Sequence, residues 1–226
     1  MISPQQVRQF LDHIKGHRLE ALFTVAAALG LRQVERFALQ WSDIDLEARS
    51  LHVRHFLARV AGKILLDTPK SEAGIRHIAL PVVTVAALQA HRHRQEFERE
   101  FAGSKWQQAT ALKDGQPVAL DLVFRTGTGT PLEARNVTKE FQRLLSQAGL
   151  PRRRFHDLRH SAATLLMAQG LNARAIAAIL GWDQTILLDR YGHLIDDVRR
   201  EAADLMDAVL KPVGVTVGVK MTERAN

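Results

Sequence analysis

His156-Asp157-Leu158-Arg159-His160-Ser161-Ala162-Ala163-Thr164-Leu165-Leu166 is followed by Ile179-Leu180-Gly181-Trp182 and then by Tyr191-Gly192-His193. The first run reads as part of a helix from about Phe155 to Gln169. On such a helix His156 and Arg159 are three apart and share a face, as do His156 and His160 at four apart. Two chemistries compete for these residues. His-x-x-x-His on a helix is a metal spacing, but the metalloprotease form needs Glu directly after the first His, where Asp157 stands here, and no third ligand has a persuasive context. The other reading is an anion site. Arg159 offers a planar fork of donors that fits phosphate oxygens, and His156 moves a proton. Taken alone, the run also fits an ordinary charged helix surface.

The flanks favour an anion. Arg152-Arg153-Arg154 follow Pro151 and lead into the helix, and from Arg143 to His160 five arginines stand against one acid, Asp157. Contacts from such residues to phosphates give salt-sensitive and largely sequence-neutral binding. Asp157 suits the first turn of a helix, where the dipole favours an anion. Downstream, Asp196 to Leu210 reads as a helix of the opposite character. It carries Asp196, Asp197, Glu201, Asp204 and Asp207 beside an apolar stripe through Val198, Ala202, Leu205 and Val209. Packing within the chain suits that stripe. The tail after Lys211 is expected to be mobile or to form a swapped strand.

Upstream, Ser3-Pro4 marks a helix start, with Val7, Phe10, Leu11 and Ile14 at helical spacing and Gly16 at its end. Further helices are expected over about Arg18–Ala28, Gln33–Leu39, Val82–Phe101, Asn136–Ala148 and Ala173–Leu180, with Gly149, Gly170 and Gly181 at C-terminal caps. Between them the period changes to two. Leu51–Leu57, Ile64–Leu66 and Ile75–Leu80 read as strands of one small antiparallel sheet, with a turn at Ala61-Gly62-Lys63. Gly103–Pro117 is expected to be a loop and Leu122–Phe124 a short strand. Gly127-Thr128-Gly129-Thr130-Pro131 lacks the spacing of a nucleotide-binding loop. The expected fold class is α+β, mainly helical, with a small antiparallel three-stranded sheet.

Composition narrows the setting. The chain has 226 residues, no cysteine and one tyrosine, with 46% hydrophobic residues and a net charge of +7. That is enough apolar material for a core, which excludes wholesale disorder. Disulfides, thiol nucleophiles and cysteine-ligated zinc are excluded outright. The positive balance points first to nucleic acid. No signal pattern or spanning stretch is visible, so the expected setting is the inside of a cell, without membrane contact.

The three motifs together resemble the catalytic domain of the tyrosine recombinases, the phage integrase family. There an HxxR motif precedes an LGH or LGW element, and a nucleophilic tyrosine follows nine residues later, within Y-x-H. Here Tyr191 stands nine residues after Trp182, with His193 two beyond it. Gly30-Leu31-Arg32-Gln33-Val34-Glu35 resembles the family's GLRxxE box, and Leu39-Gln40-Trp41-Ser42-Asp43-Ile44 the LxWxDI after it. Thr68-Pro69-Lys70-Ser71 and Arg76-His77-Ile78-Ala79-Leu80 resemble the hairpin that carries a catalytic lysine, with Lys63 as the rival to Lys70. The resemblance covers Ser3 to Leu210. It places a catalytic domain at residues 1–211 and a tail at 212–226, without the family's usual N-terminal core-binding domain. Trp182 stands where most members have His.

The resemblance implies a reaction. Arg32 and Arg159 clamp the non-bridging oxygens of a phosphodiester, and the ordinary guanidinium pKa, above about 12, keeps them charged. Trp182 can donate one N–H to phosphate or serve only in packing. His156 acts as general base for Tyr191, Lys70 protonates the leaving 5′ oxygen, and Tyr191 forms a 3′-phosphotyrosyl link. Arg152, Arg153 and Arg154 contact DNA, and Glu35 is a structural partner of a neighbouring arginine. Neither metal nor other cofactor is needed. The implied partner is double-stranded DNA in the cytoplasm of a prokaryotic or phage-host cell, bound by a homo-oligomer that is a tetramer on DNA, where the segment after the tyrosine docks on a neighbouring copy, with a monomer as the alternative in isolation. The implied activity is site-specific recombination or integration. Type IB topoisomerase-like relaxation and DNA binding without catalysis are the alternatives.

Overall fold

A computed structural model of the chain describes residues 2–69, 74–182 and 185. Helix α1 (Pro4–His13) starts as its sequence dictates. The Ser3 hydroxyl accepts from the Gln6 N–H at 3.2 Å, and the Gln6 side chain accepts from the Ser3 N–H at 3.0 Å. Two orphan donors of the first turn are thus satisfied reciprocally. Helix α2 (Glu20–Leu29) is apolar on nearly every side and is buried from Ala21 to Ala27. A helix with no polar face belongs at the centre of a fold, and α2 packs on α4 (Val82–Ala102) and α6 (Asp157–Ala168).

Gly30 ends α2 at φ 56°, a left-handed cap. A Cβ there would meet Leu180 Cδ2 at 2.5 Å and Ala162 Cβ at 3.2 Å, so a bare backbone is needed both for the turn and for close approach of α6 and α7 (Ala173–Leu180). The short α3 (Gln33–Ala38) follows, and α5 (Ala134–Gln147) lies later in the chain.

The sheet structure departs from the expected single three-stranded sheet. Strands β1 (Ile44–Asp45), β2 (Ser50–Val53) and β5 (Arg76–Ala79) form one antiparallel sheet. Strands β3 (Phe56–Val60), β4 (Lys63–Asp67), β6 (Ala109–Lys113) and β7 (Gln116–Leu120) form a second, four-stranded one, in which β4 and β6 run parallel. The run Leu51–Leu57 is therefore two strands, not one. Leu51, Val53 and Leu57 are all buried and keep the same phase across the break, so alternation alone cannot reveal the change of sheet. Between β2 and β3, Arg54 is drawn sideways onto Asp43 and Ser42.

The expected loop Gly103–Pro117 contains β6 and the start of β7. They are joined through Asp114-Gly115, both at positive φ (51° and 79°). Asp-Gly is a strong signal for such a two-residue hairpin, but Ala109–Lys113 holds only one β-branched residue, so its strand character is weak in sequence. Leu122–Phe124 is not a strand. Its pairing is an isolated bridge from Leu122 to Gln40, beside a 2.8 Å bond from the Val123 N–H to the Leu39 carbonyl.

Four aromatic rings knit the helices together. Phe10, Phe23, Phe141 and Phe155 have centroids 5.2 to 5.6 Å apart. Burying each ring contributes about 1.5–3 kcal/mol. Phe155 thereby fixes the segment that enters α6 against α1, α2 and α5. The expected acidic helix Asp196–Leu210 and the tail from 212 lie outside the described residues.

Candidate functional site

Three segments far apart in sequence meet where α2 ends. Arg32 is the N-cap of α3, Arg159 sits in the first turn of α6, and Trp182 lies just past α7. The Arg32 N–H and Nη1 both donate to the Glu35 carboxylate at 2.8 Å, and Nη2 donates to the Gly181 carbonyl at 2.6 Å. Arg159 is 1% exposed. Its Nη1 donates to the Gly30 carbonyl and its Nη2 to the Leu180 carbonyl at 2.6 Å. Its guanidinium lies 5.0 Å from the centre of the Trp182 ring.

A third arginine joins them. Arg76, at the start of β5, donates from Nε to the Ile179 carbonyl at 2.9 Å, from Nη1 to Gly74 at 3.1 Å and from Nη2 to Glu35 at 3.0 Å. Three successive carbonyls at the end of α7, those of Ile179, Leu180 and Gly181, are thus each held by a different arginine. A helix C-terminus leaves such carbonyls without partners and carries partial negative charge, so cations are stabilised there.

Glu35 is the anionic hub, 2% exposed. Burial by itself would raise its pKa, but hydrogen bonding to Arg76 and then to Arg32 outweighs this and holds the carboxyl below its usual range. A lowered folded-state pKa means stability that is present above the ordinary value of 4.5 and is lost as pH falls through the folded one. Glu35→Gln, which leaves buried Arg76 uncompensated, is expected to cost about 3–5 kcal/mol near neutral pH. Thermal melts of both forms across pH check this. The gap should narrow under acid, and a pH-independent gap would refute the charge argument.

His156 immediately precedes α6, edge-on to His160 at 5.0 Å between centroids, and His160 lies 6.0 Å from the Trp182 ring. Burial first, then the positive charges of Arg159 and Arg36, lower the His156 pKa, while Asp157 opposes them. Among the described residues no group of three His, Cys, Asp or Glu side chains is placed to hold a metal ion. Burial also draws Arg159 down to about 9, below the ordinary guanidinium value used above, yet leaves it a cation at neutral pH. Asp157 accepts from the Arg154 N–H at 3.0 Å, which secures the start of α6.

Arg152, Arg153 and Arg154 line a cleft of about 530 Å³ with Gln33 of α3 and Thr138 and Gln142 of α5, and His156 borders the same cleft. Lys70 and Tyr191 lie outside the described residues, as does His193. Lys63, the rival lysine, opens β4 beside the Ala61-Gly62 turn.

The sequence reading missed two buried arginines. Arg76 is in phase with buried Ile78 and Leu80, and an arginine on the inward phase of a strand requires a buried acid. That signal was available. Arg36, 1% exposed, lies on the Phe155 ring at 4.3 Å to its centre; nothing in the short α3 pattern singles it out.

The profile of the phage integrase family matches residues 1–197, and the chain belongs to that family. It is 32% identical over 215 residues to a tyrosine recombinase XerC-like protein of Caldanaerobacter subterraneus subsp. tengcongensis, covering 91% of this chain and 53% of the relative. It is 33% identical to an integrase of Saccharopolyspora erythraea, covering 82% of this chain and 52% of that protein. The fold is similar to that of the Tn1549 transposon integrase in complex with transposon right end DNA, with a TM-score of 0.75 and 26% identity over 90% of this chain and 65% of that one. The chain spans about half the length of the curated relatives it matches. Among the described residues no helix is long and apolar enough to cross a membrane.

Proposed function

We propose that this chain is the catalytic unit of a site-specific DNA recombinase, cutting and rejoining strands through a 3′-phosphotyrosyl link at Tyr191. The observation that carries the reading is the convergence of Arg32, Arg159, His156 and Trp182, motif residues from distant segments, around the end of α7. A phosphodiester resists attack because its charge repels nucleophiles and its alkoxide leaves poorly. Arg32 and Arg159 neutralise the non-bridging oxygens, an electrostatic contribution that grows as charge accumulates in the transition state. Trp182 adds one N–H, and its ring covers the Arg159 guanidinium.

His156 takes the proton of the Tyr191 hydroxyl as its oxygen bonds to phosphorus. Lys70 gives a proton to the 5′ oxygen as that P–O bond breaks. The covalent link keeps the bond energy for the reverse step, in which a 5′ hydroxyl displaces the tyrosine. In this reading residues 1–211 form the catalytic unit, Arg152, Arg153 and Arg154 contact duplex DNA, four copies assemble on it, and the setting is the cytoplasm of a bacterial or phage-host cell.

The test is a nicked or phosphorothiolate-trapped duplex, with a covalent protein–DNA adduct as readout. A general base works in its neutral form. The cleavage rate should therefore rise through a His156 pKa below the ordinary 6.5 and already be level at neutral pH. Single-turnover rates from about pH 5 to 8 check this, and His156→Gln should lower the plateau by about 10²–10³-fold. A profile that climbs through neutrality with a midpoint above 6.5 would remove His156 from the role.

A further inference from the structure

We propose that the cleft between α3, α5 and the 152–156 segment seats a second phosphate of duplex DNA, next to the one that is cut, with Gln33, Thr138 and Arg153 as its ligands and Arg36 as the buried charge beneath. The proposal rests on the recombinase reading and extends it from one phosphate to two.

Unspent donors carry the argument. Among the described residues nine buried side-chain N and O atoms have no hydrogen-bond partner; two of them, Gln33 Nε2 and Arg153 Nε, belong to residues lining the cleft, and two more, Arg36 Nε and Nη1, to the arginine behind its Phe155 wall. A buried donor left unpaired is costly, and a buried cation left unpaired is more so. Arg36 touches no carboxylate. Its guanidinium rests on the Phe155 ring, and Phe155 forms part of the cleft wall. Gln33 lies one turn before Arg36 on α3 and lines the same cleft.

The single acid at the cleft, Asp157, is already bound to Arg154. One unpaired acceptor, Gln142 Oε1, lines the cleft as well, but donors outnumber it, and a surplus of donors calls for a group that only accepts; a phosphodiester presents such oxygens with a negative charge. Gln142 has a different part. Its amide nitrogen donates to the Arg153 carbonyl, so it orients the arginine segment rather than meeting the anion.

Position identifies the source of the phosphate. His156 borders this cleft and belongs to the site where Tyr191 would react. A DNA strand carries a phosphate every 3.4 Å or so of helix axis. A strand that crosses His156 and runs along the cleft would set a neighbouring phosphate against Gln33 and Arg153, which line it.

The experiment measures binding of the full chain to a random-sequence duplex of about 20 base pairs over a range of salt, with melts to verify folding. Arg153→Ala is expected to weaken binding and to reduce the log K against log salt slope by about 0.9, one phosphate contact. Gln33→Ala is expected to weaken binding on the order of fivefold with the slope unchanged, because it removes a neutral donor. Arg99→Ala, a loss of charge on α4 outside the cleft, should leave the slope as it is. Native affinity and slope in both Arg153→Ala and Gln33→Ala would overturn the proposal, as would an equal slope change in Arg99→Ala. Adduct formation on the nicked duplex separates the two readings. A slope change at Arg153 with no adduct in the native chain sinks the recombinase reading and keeps the phosphate seat. A normal adduct with unchanged slope and affinity in both variants sinks the seat alone.

Discussion

Tyr191→Phe is expected to abolish the covalent protein–DNA adduct, a loss of at least about 10⁴-fold. The expectation is unusually clean because the chain has one tyrosine and no cysteine, so no second phenol and no thiol can take over. Phenylalanine keeps the ring and removes only the oxygen that attacks. The measurement is adduct yield on a nicked duplex, read on a denaturing gel, with duplex affinity measured beside it. Affinity should be nearly unchanged, since the proposed reading assigns DNA contact to the arginines and not to this hydroxyl. A normal adduct in the variant would end the recombinase reading.

Arg159→Lys is expected to lower cleavage by about 10²–10³-fold and to lower the melting temperature as well. A guanidinium reaches two carbonyls at once, those of Gly30 and Leu180, while its face meets the Trp182 ring. A lysine ammonium is a point charge on a flexible stem and cannot span both carbonyls or stack. One buried carbonyl then goes unpaired, at a cost of about 1–3 kcal/mol. Arg32→Lys is the informative companion. The Arg32 side chain is 43% exposed, so the same chemical loss should come with a smaller change in stability. Cleavage by Arg159→Lys within tenfold of the native rate would show that the guanidinium fork is not required.

Much of the helical frame was legible because its signals are local. Ser3, Pro4 and Gln6 specify how α1 begins, and α7 runs over Ala173–Leu180 as its pattern and Gly181 indicated. The sheets were less legible because strand pairing is a matter of which distant segment supplies the partner. Leu51, Val53 and Leu57 alternate in one phase and yet belong to two sheets. In β6 and β7 the chain relies on a turn, Asp114-Gly115, more than on strand-forming side chains. The motif residues Arg32, Arg159 and Trp182 were readable from residue type and spacing. Arg76 was legible from its inward phase with Ile78 and Leu80 but was overlooked, and Arg36 was not legible, because the short α3 pattern does not single it out. Glu35 was read correctly as the partner of a nearby arginine, but its second partner, Arg76, comes from β5, 41 residues away in sequence.

The grip of three arginines on the last carbonyls of α7 has a consequence for dimensional tolerance. Arg32 and Tyr191 are 159 residues apart in sequence, a long path over which small shifts in packing would add up. The structure short-circuits that path. Arg32, Arg76 and Arg159 take their positions from the end of α7, one or a few residues before Trp182. Tyr191 follows Trp182 by nine residues. In the proposed reading, charge and nucleophile are therefore referred to one datum, with nine residues of sequence between them. A substitution that displaces α7 as a unit would carry the arginines with it. One that alters the length of the nine-residue span should, in the proposed reading, lower adduct yield while the arginines keep their grip on α7.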